Sequence, residues 1–107
     1  MNRDEYQHPT IAASYSRETA EGHLVSVFDV GNGRAVQVTH NHMTEMYICE
    51  VYIIPQFVGA SIYNSAKANI PTYEVDSHDG VTAYIDYIAA KYMMEVTSAA
   101  DLGKEFL

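Results

Sequence analysis

The sequence has few of the residues that stabilise small secreted proteins or mark membrane proteins. It contains one cysteine, Cys49, and no tryptophan among its 107 residues. Because a single cysteine cannot close an internal disulfide, the class of disulfide-stapled secreted domains is excluded. No apolar run approaches the ~20 residues of a membrane helix, and residues 1–6 are polar where a secretory signal is apolar. We therefore expect a cytoplasmic protein, in a bacterium or in a cell infected by a virus.

Positively charged residues are also scarce. Six lysines and arginines stand against fourteen aspartates and glutamates, so the formal net charge is −8. Nucleic-acid binding depends on neutralising phosphates with clustered Lys and Arg, and these six side chains are scattered singly along the chain. Direct binding of DNA or RNA is therefore disfavoured. The acidic balance suits either an encounter with a basic protein surface, which it would steer, or simple solubility.

Catalytic signatures are missing as well. Cys49 lies within an apolar run, where a cysteine is usually a small buried hydrophobe rather than a nucleophile. Ser77, His78 and Asp79 are triad residue types, but neighbours in the chain cannot face one another as a relay. The segment 31–33 (GNG) does not lead into a helix, so it does not form a phosphate loop. We predict that the protein is not an enzyme and holds no cofactor.

Two histidines offer an alternative. His40 and His42 are two positions apart, so on a strand both imidazoles would point to one face, and Glu45 follows them. Imidazole and carboxylate are good ligands for a divalent transition metal. The segment HNHMTE resembles the first metal motif of the cupins, although the gap from His42 to Glu45 is shorter and no Gly-Pro-His motif follows. We predict no metal site; these three residues are the candidate ligands of the alternative, a small metal- or ligand-binding domain.

The residues that are present predict one α+β domain spanning residues 1–107. Asn32 and Gly33, which tolerate positive φ, join two β-rich segments and predict a hairpin. The segment 46–54 is apolar on both faces and predicts a central strand that Pro55 ends. Residues 10–15 fit either an edge strand or the start of a short helix continuing to residue 21, and a strand or an irregular arm is favoured. The predicted strands are 23–30, 34–39, 46–54, 57–63 and 70–75, with a loop at 64–69.

The clearest predicted element is a helix near the C-terminus. Asp76 or Ser77 can cap its first turn by accepting free amides, and Asp79 complements the positive end of the dipole. Apolar side chains then recur every three or four positions, the period of a helix face packed on a sheet: Val81, Tyr84, Ile85, Ile88, Tyr92 and Val96. We predict about four turns, to residue 95, and a separate short turn over 98–102. The predicted fold is an antiparallel sheet of four to five strands with one long C-terminal helix packed on one face.

The opposite side of this helix carries a second apolar line. Ala83, Tyr87, Ala90 and Met94 follow one another at helical spacing, and a helix that is apolar nearly all round is usually covered on both sides. The cover is either the N-terminal segment 8–20 or another protein chain. Tyr and Met are enriched at the cores of interfaces, and nine tyrosines are many for this length. We hypothesise that Tyr87 and Met94 lie in an interface, with a second copy in a homodimer or with a target.

Half of the acidic residues lie in positions 73–107, so any acidic face is expected around Glu74, Asp76, Asp79 and Asp86. In overall character, being short, acidic, cysteine-poor, α+β and without catalytic motifs, the chain resembles the small phage-encoded inhibitors of bacterial defence, the anti-CRISPR type. The resemblance implies an inhibitor that docks on a host nuclease or CRISPR–Cas defence complex and blocks nucleic-acid binding. The acidic face would then compete for a basic channel. A homo-oligomeric structural subunit is a further alternative.

Overall fold

The chain folds into one antiparallel sheet with a helix on one face. The computed structural model describes residues 5–55 and 65–105, with residues 92–105 as helix backbone. The elements are β1 (Tyr15–Glu18), β2 (Leu24–Gly31), β3 (Arg34–Asn41), β4 (Met46–Ile53), β5 (Ala66–Lys67), β6 (Tyr73–Val75) and α1 (His78–Glu105). The strand order is β1-β2-β3-β4-β5, and β6 also pairs with β4. This architecture confirms the predicted α+β fold.

The β2–β3 hairpin forms where the sequence predicts it. Asn32 and Gly33 have positive φ, 57° and 74°, the backbone that a tight hairpin turn requires and that Asn-Gly adopts at low cost. The carboxylate of Asp29 accepts a hydrogen bond of 2.8 Å from the Gly31 amide, at the point where the register of the ladder shifts. The turn thereby fixes which side chains of β2 and β3 face the helix.

β4 supplies much of the core on the helix side of the sheet. Tyr47, Cys49 and Val51 alternate along it and are at most 5% exposed, as expected for side chains that share one face of a strand. β4 pairs with β3 along its whole length. It ends at Ile53, before Pro55, which has no amide hydrogen for a ladder.

The other edge of β4 is shared by two short strands. β5 pairs with residues 52–53 of β4, and β6 pairs with residues 47–49. β5 falls within the segment 64–69, so the prediction of a loop there is wrong. Its strand character comes from long-range pairing with β4, which no local pattern records. The predicted strand 57–63 lies outside the described residues.

α1 closes the core on one face of the sheet. Val81, Ile85 and Ile88 are at most 1% exposed, and full burial of such a side chain stabilises the fold by about 1.5–3 kcal/mol. Ser77 caps the helix, since its Oγ accepts a hydrogen bond of 3.1 Å from the Gly80 amide. The residues that pack with them in the core are Tyr6, Phe28, Val36, Val38, Tyr47, Cys49, Val51 and Ala68.

The helix is longer than predicted. It runs for 28 residues to Glu105, about 42 Å at the usual rise of ~1.5 Å per residue, and has no break at 98–102. No proline follows Pro71 in the sequence. A glycine such as Gly103 costs a helix only about 1 kcal/mol, which is too little to end it.

Residues 5–14, here called the N-terminal arm, lie against the helix and the end of the core. Tyr6 is 3% exposed, and its ring meets that of Phe28 edge-on with centroids 5.4 Å apart. The Tyr6 hydroxyl shares a hydrogen bond with Thr82 Oγ1 on α1. Tyr6, near the start of the described chain, is therefore part of the core.

Within the segment 10–15, for which the sequence favours a strand or an irregular arm over a short helix, β1 begins only at the last residue, Tyr15. The amides of Thr10 and Ile11 each donate a hydrogen bond of 3.1 Å to Nδ1 of His8. Because this local turn uses the amides that a ladder or a helix would use, regular structure starts only at Tyr15.

Candidate protein-binding surface

Two tyrosines meet where β6 leads into α1. Tyr73 on β6 and Tyr84 on α1 stack with ring centroids 4.6 Å apart and planes 3° apart. Two residues separate the strand from the helix, and the first helical turn lies so close to β6 that a Cβ on Gly80 would overlap the side chain of Val75. This tight connection fixes where Tyr73 meets the helix.

Ala83 and Tyr87 complete a shallow groove beside this stack. Together with Tyr73 and Tyr84 they line an open depression of about 380 Å³ whose walls are mostly apolar. Tyr87 is 59% exposed and Tyr73 is 40% exposed. Ala83 precedes Tyr87 by one helical turn and contributes only a methyl group, so it leaves space above the helix backbone. We call these four residues the tyrosine groove.

The N-terminal arm does not cover the tyrosine groove. It lies on the other flank of α1, where Nε2 of His8 donates a hydrogen bond of 2.8 Å to Asp86 Oδ1; His8 Nδ1 is already an acceptor. Successive side chains on a helix are rotated by about 100°, which separates Asp86 from Tyr87. Ala83, Tyr87 and Ala90 are all exposed, so the arm does not cover this part of the second apolar line.

The four carboxylates grouped by the sequence are not gathered in one patch. Glu74 is opposite Ile48 in the β4–β6 ladder, and its neighbours along β6 face the helix, so Glu74 points away from α1. Asp79 and Asp86 lie on the arm side of α1, and Asp76 lies in the connection before it. All four are exposed, but they are distributed over both faces of the sheet.

The sequence predicts Tyr87 as an interface residue, but it does not predict this for the two aromatic neighbours of Tyr87. Tyr84 belongs to the apolar stripe of the helix and is only half-buried, and Tyr73 lies in a short segment with no periodicity. The signals for this pair were the high tyrosine count and the short connection between strand and helix. The side chain of Met94, the other predicted interface residue, lies outside the described part of the chain.

The three candidate metal ligands have separate environments. His40 is buried, with its ring 4.7 Å from that of Tyr47. His42 follows the end of β3, is exposed, and has its ring 5.2 Å from that of His23. Glu45 is exposed with φ of 60°. Among the described residues, no three His, Cys, Asp or Glu side chains are placed to hold a metal ion.

Tyr47 and Cys49 carry reactive groups but belong to the core, and Tyr47 also contacts His78. The Tyr47 hydroxyl lies 2.6 Å from Nε2 of His78, the first residue of α1, and the ring of Tyr6 meets His78 edge-on at 5.6 Å. Cys49 is fully buried, and this burial raises the pKa of its thiol to about 12. The thiolate required of a nucleophile is therefore not formed near neutral pH.

Within the described residues, no helix combines the length and the apolar character needed to cross a membrane. Comparison with protein-family models, with curated proteins and with solved structures found no match to this chain.

Proposed function

We propose that the protein is a protein-binding module that docks on a basic partner surface through the tyrosine groove. The observation that carries the proposal is exposed aromatic area: Tyr87 is 59% exposed and lies beside the Tyr73–Tyr84 stack. Tyrosine gives rigid, amphipathic contact area at low entropic cost and is enriched among the residues that dominate binding energy. The groove is thus the best-supported centre for an interface.

The charge of the chain indicates the kind of partner. A formal net charge of −8 favours encounter with a surface rich in Lys and Arg and raises the association rate at low salt. Asp79 and Asp86, both exposed, do not line the groove but lie one helical turn before and after Ala83, on the arm side of the helix. We therefore assign the tyrosines the role of contact residues and the carboxylates the role of steering.

Within this class, we propose a phage-encoded inhibitor of the anti-CRISPR type. Its target would be a host nuclease or defence complex whose nucleic-acid channel is basic, and the docked protein would block nucleic-acid binding there. The net charge and the resemblance in overall character support this proposal. Because Glu74 faces away from α1, the proposed contact uses the tyrosine groove with Asp76, Asp79 and Asp86 rather than all four carboxylates.

The test compares three tagged baits in bacterial lysate: the wild-type chain, the double variant Tyr73→Ala/Tyr87→Ala, and Met43→Ala. Met43 is 79% exposed and lies in the β3–β4 turn, so it controls for loss of an exposed apolar side chain. We expect one partner to be retained by the wild type and by the control. Loss of two contact tyrosines should weaken its binding by roughly tenfold or more.

Equal capture by all three baits would contradict a role for the groove. A homo-oligomer seen by light scattering, and dissociated by the double variant, would assign the groove to self-association instead. For the inhibitor proposal, purified CRISPR–Cas nuclease is assayed for DNA binding with each chain added. Inhibition by the wild type that the double variant loses supports it, and absence of inhibition while a partner is still captured leaves only the binding function.

A further inference from the structure

We propose that the tyrosine groove accepts an arginine side chain of the partner, placed over Ala83 with its guanidinium against the ring of Tyr87. This inference rests on the proposed binding function and adds the chemical group that is recognised. The space is provided by Ala83, which contributes a single methyl group among the larger tyrosine side chains that line the groove.

The helix places both an aromatic face and carboxylates around that point. Neighbours at i±3 and i±4 on a helix have Cβ atoms about 5–6 Å apart. For Ala83 these neighbours include Asp79 one turn before it, and Asp86 and Tyr87 one turn after it. All are exposed. A group seated over Ala83 therefore has an aromatic ring on one side and carboxylates on the other.

The guanidinium group matches this arrangement better than other cations. It is planar, weakly hydrated and able to stack on an aromatic face while donating paired hydrogen bonds to a carboxylate. An ammonium is a compact and strongly hydrated charge, which loses more hydration against an apolar wall. A groove with mostly apolar walls and carboxylates one helical turn from Ala83 thus favours arginine over lysine.

The surrounding charges permit a cation at this position. Asp79 makes no ion pair with any described residue, and Asp86 is engaged through Oδ1 with His8 while its side chain remains 60% exposed. The positive end of the helix dipole acts mainly within the first turn, and Ala83 lies in the second. Lys91 opposes a cation, but it is one turn beyond Tyr87 and therefore about 12 Å along the axis from Ala83.

The test titrates the ¹⁵N-labelled protein, with ¹³C-labelled tyrosine rings, with three capped tripeptides and follows the NMR shifts. The peptides are Ac-Gly-Arg-Gly-NH₂, its lysine analogue and its citrulline analogue, which keeps the shape of arginine without the charge. We expect the arginine peptide to shift the Tyr84 and Tyr87 rings and to bind tighter than the other two. Tyr87→Ala and Asp79→Asn should each weaken it roughly two- to fivefold, and Tyr87→Phe should retain it.

Glu18→Gln is the matched control, because Glu18 is an exposed carboxylate on β1, far from the groove in the sheet order, and should leave the affinity unchanged. Equal binding of the lysine peptide, or unchanged affinity in Tyr87→Ala, would overturn the inference and reduce the effect to general charge attraction. If a captured partner depends on Tyr87 but the arginine peptide does not bind the groove, the arginine inference fails while the binding function stands. If the arginine peptide binds the groove but no captured partner depends on Tyr87, the binding function fails and the arginine inference stands.

Discussion

Tyr6 anchors the N-terminal arm in the core. Replacing its side chain by alanine gives the most direct test of the fold. Its side chain is 3% exposed. A buried aromatic side chain removes roughly 150–250 Å² from water, which at about 25 cal/mol per Å² is an upper bound of about 4–6 kcal/mol. We expect Tyr6→Ala to lower the free energy of unfolding by about 3–5 kcal/mol, a large share of the ~5–15 kcal/mol of a typical domain.

The hydroxyl and the ring of Tyr6 can be separated by substitution. Tyr6→Phe keeps the edge-on contact with Phe28 and removes only the hydrogen bond with Thr82, so we expect a loss of about 0.5–1.5 kcal/mol. Thr82→Val removes the same bond from the other side. A cycle of the two variants and their combination should give a coupling energy of about 0.5–1.5 kcal/mol.

The assay is urea unfolding followed by far-UV circular dichroism. With an m-value of about 2 kcal/mol/M, Tyr6→Ala should lower the midpoint by about 2 M. Tyr87→Ala is the matched control: the same substitution at a side chain that is 59% exposed should stay within about 0.5 kcal/mol of the wild type. A cost below about 1 kcal/mol for Tyr6→Ala, or equal costs at both positions, would refute the assignment of the arm to the core.

Three further predictions follow from burial and close packing. Burial raises the pKa of the Tyr6 hydroxyl above its usual value, and the hydrogen bond to Thr82 partly opposes this shift. Because the folded state holds this proton more tightly than the unfolded state, the free energy of unfolding should fall as pH rises above about 10. The urea midpoint should fall less steeply with pH in Tyr6→Phe. Cys49, with a thiol pKa of about 12, should react with a chromogenic disulfide reagent only after unfolding, and immediate colour in native buffer would contradict its burial. Gly80→Ala would stabilise a solvent-exposed helix by about 1 kcal/mol. Here it should destabilise the protein by about 1–3 kcal/mol, because the new methyl group overlaps Val75. Adding Val75→Ala should recover part of the loss, and a raised melting temperature in the single variant would show that no such contact exists.

The elements that the sequence predicts are those with local causes. The β2–β3 hairpin follows from Asn32-Gly33 between two β-rich segments. The helix follows from the spacing of Val81, Ile85 and Ile88, which are the side chains it buries. In these cases the signal and the structure it specifies lie within a few residues of each other, and tertiary packing reinforces it.

The local sequence does not predict the structure of the N-terminal arm, because the residues that the arm contacts are remote in the chain. Tyr6 and His8 form hydrogen bonds with Thr82 and Asp86 on α1, and no sequence pattern near residue 6 indicates these contacts. The tyrosine groove also depends on contacts between segments that are remote in the chain. The position of Tyr73 beside Tyr84, and of Glu74 on the opposite face, depends on how β6 registers with β4, which is set by pairing and not by local pattern.

The long separation of these contacts also bears on the order in which the chain folds. Tyr6 and Thr82 are 76 positions apart, and His8 and Asp86 are 78 apart. β2, β3 and β4, by contrast, follow one another through short turns. Because closing a long loop costs more entropy than closing a short one, we expect the three-stranded meander to form early and the arm to dock late.

A late-docking arm has a kinetic signature. Substitutions of Tyr6 should then speed unfolding and leave the folding rate nearly unchanged. During synthesis the arm leaves the ribosome before α1, and its binding site on α1 is completed only after Asp86 has emerged. The arm is therefore synthesised before the sheet and the helix but is fixed in place after them.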